Sequence, residues 1–193
     1  KQMNLEILSN WNLIRASGFL AYFLLTLSIM AGIMQKLSSF QHQKSLLMEM
    51  HKFSGWTGTL TVVFHATLLL VDHYVPYQIW EILIPFTAKN EPLYSALGTI
   101  SFYFFFIVMA TSDFFMKKLG FKLWKRIHFL MIPAWVFMSL HGILIGTDSN
   151  QLWAILIYSA GIILISALLV IRYIEGKMKA VSSKKAANPS KNG

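Results

Sequence analysis

The chain has 193 residues, 55% hydrophobic and 13% charged, with a formal net charge of +9 and no cysteine. One soluble core cannot hide that much apolar surface, so the composition points to an integral membrane protein. The absent thiols exclude disulfides, thiolate-held iron–sulfur clusters and haem attached through Cys-x-x-Cys-His, and the spread of the cations between apolar runs argues against a nucleic-acid partner.

A membrane helix needs roughly 20 mostly apolar residues. Five stretches qualify, and they predict an all-α, helical bundle in one membrane domain over 1–174. The first span, 11–34, carries Arg15 close to its start. The second, 53–71, follows His51 and contains His65; the fourth, 127–145, contains His128, Pro133, Trp135 and His141. The third, 93–115, is rich in phenylalanine, and the fifth covers 152–174. The remaining 175–193 is basic, lacks an apolar face and is expected to be a disordered tail.

Loop charges predict the orientation. Lys36, Lys44 and Lys52 separate spans one and two, Lys117, Lys118, Lys122, Lys125 and Arg126 separate spans three and four, and the tail is basic. The other two loops hold Lys89 against Asp72, Glu81, Glu91 and Asp148. A multi-pass protein of the cell membrane is therefore expected, with its N-terminus outside and its C-terminus in the cytoplasm. The apolar piece IWEILIPF in the longer outer loop is too short to span, and is expected to lie in the interface or cap the bundle.

His42 and His73 fall in loops, whereas the other four histidines belong to spans two and four, which run in the same direction. Separations of fourteen and thirteen residues correspond to roughly 21 and 19.5 Å of helix rise, so each helix offers one imidazole at each of two matched depths. On the second span, helical stepping puts His51, Gly55, Gly58, Val62 and His65 on one stripe. Its glycines would let a flat cofactor lie against the backbone, or let another helix pack closely. On the fourth span, thirteen steps leave the imidazoles about 140° apart on an ideal helix. Distortion at Pro133, or local tightening, is expected to bring both to one neighbour.

Buried ionisable groups need partners, and neutral imidazole is the metal-binding form. Zinc or copper draws its ligands around one ion. Two separated facing pairs instead suit axial ligation of two planar haems, and such an iron has no open position, so its chemistry is electron transfer. A quinol-linked cytochrome b subunit, a metal or proton permease, and an assembly subunit with hydrogen-bonded histidines are the alternatives. Trp56 and Trp135 lie between the two levels, where they would pack or bridge the haems.

HKFSGWTGTLTVVFH (51–65) resembles the third-helix signature of the ferric reductase/NADPH oxidase transmembrane family, and LWKRIHFLMIPAWVFMSLHG (123–142) resembles its partner helix. IRASG and TSDFFMKKLGFKLW are similar to that family's arginine-containing helix start and basic loop. The resemblance implies two b-type haems, one held by His51 and His128 on the cytoplasmic side, the other by His65 and His141 on the outer side. It places Arg15 beside the outer haem, where the guanidinium would meet a propionate or else reach the headgroups. It implies one-electron transport from reduced flavin or a flavin reductase in the cytoplasm to an extracytoplasmic acceptor protein or small molecule. Leu69 stands where the oxidase branch carries a further histidine, so superoxide formation is not implied. These 193 residues hold no Gly-rich dinucleotide fingerprint, and the chain resembles the family's stand-alone haem subunits, including the membrane partner of periplasmic methionine sulfoxide reductase. Any flavin would come from a partner, for which the basic loop 117–126 is the expected docking surface.

Overall fold

The computed structural model describes residues 9–187, and within them every regular element is helical. The first hairpin joins α1 (Asn10–Met34) to α2 (Lys44–Leu70) through a tight 3₁₀ turn, Ser38–Gln43. The Ser9 hydroxyl accepts from Asn12 N–H at 3.4 Å and starts α1, as an N-cap does. The two helices lie close because small residues meet large ones. A Cβ on Gly58 would come within 2.8 Å of Leu25 Cγ, and one on Gly55 within 3.1 Å of Ser28 Oγ. Of the two uses the sequence left open for these glycines, the structure shows helix packing: α1 fills the space they leave, as small residues do at membrane helix interfaces.

After α2 the chain makes a short helix α3 (Ile79–Leu83), then α4 (Pro92–Ala110), a π turn over Thr111–Phe115, α5 (Met116–His128) and α6 (Met131–Ile145). The run from Pro92 to Ile145 doubles back. Gly120 adopts φ +73°, which suits glycine, and on the return Ser101 Oγ donates to Ala134 O at 2.8 Å. Among the described residues four helical runs are long and apolar enough to cross a membrane, 10–34, 38–70, 92–145 and 152–183, and the doubled third run supplies two of the five predicted passes. By itself α6 rises only about 22 Å, less than the roughly 30 Å of hydrocarbon, and the end of α5 extends it.

The fourth predicted span is broken at Phe129–Leu130 and not at Pro133 itself. Proline lacks an N–H and its ring crowds the carbonyl four residues back, here that of Phe129. That carbonyl accepts instead from Ile132 N–H at 3.2 Å, and Leu130 N–H bonds Ile127 O at 2.9 Å. The helix is locally tightened. Each residue wound at three per turn adds about 20°, which swings His141 toward the face of His128.

The final helix, α7, runs Leu152–Ala187 and so passes the boundary expected at 174. Through 187 the expected disordered tail is helical, and 188–193 lie outside the described residues. Extending an existing helix needs no new nucleus, and Lys, Met and Ala favour it. Glu175 also fastens α7 to the first hairpin, its carboxylate accepting from Ser38 N–H at 3.0 Å and Ser38 Oγ at 2.8 Å. The core joins α1, α4, α6 and α7 through Tyr22, Leu25, Phe105, Val108, Trp135, Tyr158 and Ile165. In α3, Glu81 is turned inward, and backbone N–H donors at Gln78 and Lys89 hold its carboxyl below the usual carboxylate range.

Candidate functional site: four anchored imidazoles

The histidines of α2 face α1. His51 Nδ1 donates to Ser28 O at 2.8 Å, with Ser28 Oγ 3.1 Å from the same nitrogen, and that hydroxyl also donates to His51 O at 2.8 Å. Fourteen residues along, His65 Nδ1 donates to Ile14 O at 3.0 Å, with Ser17 Oγ at 3.2 Å. Glycines on α1 make room for both rings. A Cβ on Gly32 would stand 3.1 Å from His51 Nδ1, and one on Gly18 would stand 3.4 Å from His65 Cε1.

The second hairpin repeats the arrangement. His141 Nδ1 donates to Tyr94 O at 2.8 Å, and a Cβ on Gly98 would come within 2.8 Å of His141 Cε1. His128, the last residue of α5, approaches Ser112 Oγ in the π turn at 3.4 Å. That hydroxyl accepts from Trp124 Nε1 at 3.1 Å, and the Trp124 ring lies 5.1 Å from the His128 ring. Both imidazoles of the broken span thus reach the same Pro92–Phe115 run.

A carbonyl can only accept, so in three of the four rings the proton is on Nδ1 and the lone pair on Nε2. Metal-bound histidines are commonly held by such a bond from the second nitrogen, which fixes the ring and raises its basicity. The hairpins meet at the His51–His128 level, where the ring centroids are 5.9 Å apart. Two imidazoles on opposite sides of one metal, each bonded at about 2.0–2.1 Å, hold their centroids roughly 6 Å apart. At this spacing His51 and His128 could hold one metal between them. Among the described residues no three His, Cys, Asp or Glu side chains converge on one point.

The remaining predicted residues have other partners. Arg15 forms an ion pair with Asp148 and reaches Asn12 Oδ1 at 3.4 Å. In this structure its anionic partner is a carboxylate of this chain. Trp135 is buried, donates to Thr26 Oγ1 at 2.9 Å and stacks on Tyr22, a packing position between the two levels. Trp56 donates to Asp113 Oδ2 at 2.6 Å and ties α2 to the π turn. The sequence reading missed Gly18, Gly32 and Gly98, and the anchors Ser28 and Ser112. A signal for two of them was present: Gly18 and Gly32 have the same fourteen-residue spacing as His51 and His65.

Fold and site together define a multi-pass helical membrane protein carrying two imidazoles on each of two hairpins. The family described as ferric reductase like transmembrane component matches residues 17–139, well over half of the chain, and the chain belongs to that family. The match includes His51, His65 and His128 and stops two residues before His141. No curated protein and no solved structure matched the chain. Membership points to transmembrane electron transfer.

Proposed function

We propose that the chain is a two-haem b-type cytochrome that carries single electrons from a cytoplasmic reductant, reduced flavin or a flavoprotein, to an extracytoplasmic acceptor. The observation that carries this reading is the anchoring of three of the four imidazoles, His51, His65 and His141, through Nδ1 to backbone carbonyls, which leaves Nε2 free to act as the ligand atom. A haem held by two imidazoles supplies one-electron chemistry with no position open to substrate. The protein's part is to fix the rings. Ser28 O, Ile14 O and Tyr94 O each hold a tautomer, and Gly18, Gly32 and Gly98 let each ring lie against a neighbouring backbone.

Purified protein should give a b-type reduced-minus-oxidised spectrum, with two haems per chain by the pyridine haemochrome method. No bound haem would overturn the reading, and one would remove a histidine pair from it. For the donor, Lys117, Lys118 and Lys122 are all exposed and form a surface for an acidic flavoprotein. Reversing the three charges should slow reduction by such a donor about tenfold or more at low salt, with little effect at high salt. An unchanged rate at low salt would rule out docking there.

A further inference from the structure

Residues 79–86, between α2 and α4, have an inverted pattern of burial. The acid Glu81 is 4% exposed, whereas Ile79, Trp80, Ile84 and Phe86 are 58%, 52%, 53% and 61% exposed. We propose that this segment is a wedge inserted among the acyl chains of the leaflet at the His65–His141 end, so that its partner is lipid and not a protein in water.

Three observations carry this. The first is depth. Thr99 Oγ1 donates to Ile82 O at 2.9 Å and Tyr103 OH to Leu83 O, and both donors belong to α4. Thr99 and Tyr103 lie seven and eleven residues beyond Pro92, about 10 and 16 Å of helix rise. The wedge is therefore fastened beside a spanning helix below its first turn.

The second is the state of its backbone. In hydrocarbon every peptide group needs a partner from the protein. The carbonyl of Ile84 accepts from Thr87 Oγ1 at 2.8 Å and that of Trp80 from Ile84 N–H at 2.8 Å, while those of Ile82 and Leu83 are taken by the α4 hydroxyls. Glu81 accepts from Gln78 N–H at 2.7 Å and Lys89 N–H at 2.9 Å. A loop in water has no need of so many side-chain caps.

The third is strain. Phe86 follows Pro85 and adopts φ +69°, a conformation unfavourable for a bulky L residue, with its ring exposed. Burial of that ring in lipid offsets the cost. The wedge also adjoins the site, because Thr99 is next to Gly98, against which His141 rests.

The chain has no cysteine, so single nitroxide labels can be placed without removing any residue. Ile84→Cys and Lys89→Cys are labelled in phosphatidylcholine nanodiscs, where both faces meet water. The label at 84 should collide with oxygen several-fold more than with a nickel chelate, and the label at 89 should show the reverse. Nickel access at 84 equal to that at 89 would put the segment in water and leave it open to a protein partner. Shielding from both reagents would mean that another protein surface covers it. Either result overturns the proposal, and Trp80→Cys gives an independent reading should Ile84→Cys fail to fold.

Discussion

The two levels of imidazoles differ in how their rings are held. At the His65–His141 level both Nδ1 atoms donate to backbone carbonyls, Ile14 O and Tyr94 O. At the His51–His128 level only His51 does, and His128 depends on the hydroxyl of Ser112 at 3.4 Å. No substitution removes a backbone carbonyl, so one level is fixed by the fold. The other is adjustable through a side chain. In the proposed two-haem electron path, that difference would set which ligand can be tuned without disturbing the bundle.

The largest effect tests whether the levels exist as pairs. His51→Ala and His128→Ala should each abolish the same haem, and the double variant should lose no more than either single one. The same logic applies to His65 and His141. Haem stoichiometry and redox titration of the four single variants would read this. Loss of different haems from His51→Ala and His128→Ala would dissolve the pairing.

A smaller, graded effect comes from the glycines that receive the rings. An added Cβ would stand 2.8 Å from His141 at Gly98, 3.1 Å from His51 at Gly32 and 3.4 Å from His65 at Gly18. Alanine is intrinsically the better helix former by about 1 kcal/mol, so backbone propensity alone would favour all three substitutions. Displacement of the ring opposes it, most strongly where space is least. Gly98→Ala should lower haem retention several-fold, Gly32→Ala less, and Gly18→Ala hardly at all. Equal retention in the three would mean that the rings have room the structure denies them.

The reasons some features were legible in the sequence lie in which groups create them. Four ionisable side chains in apolar spans must have partners, so His51, His65, His128 and His141 were marked by residue type and spacing alone. Three of their anchors are carbonyls of Ile14, Ser28 and Tyr94, which any residue would supply, and no sequence pattern distinguishes them. Arg15 and Asp148 are 133 residues apart, and their pairing depends on two hairpin ends that only the packed bundle brings together. The glycines of α2 left two readings open, because a stripe of small residues looks the same whether a ring or a helix lies on it. Pro133 was visible, yet its effect falls four residues earlier, at the carbonyl its ring crowds. The boundary at 174 was drawn where hydropathy fell, but helix continuation follows propensity and contacts such as Glu175 with Ser38.

The smallest effect bears most directly on the adjustable level. For His128 to offer Nε2 to a metal, its Nδ1 must carry the proton, and Ser112 Oγ must accept it while also accepting from Trp124 Nε1. Ser112→Ala removes that acceptor and leaves the ring less electron-donating, which disfavours the oxidised metal. The midpoint potential of one haem should therefore rise while the other stays put. A neutral hydrogen bond worth about 0.5–1.5 kcal/mol corresponds to roughly 20–60 mV for one electron. Ser112→Thr, which keeps the hydroxyl, should restore the original value. At the other level Ser17→Ala should shift nothing comparable, because Ile14 O still holds His65. Equal shifts from Ser112→Ala and Ser17→Ala would show that the backbone carbonyl gives no protection, and the contrast between the two levels would be lost.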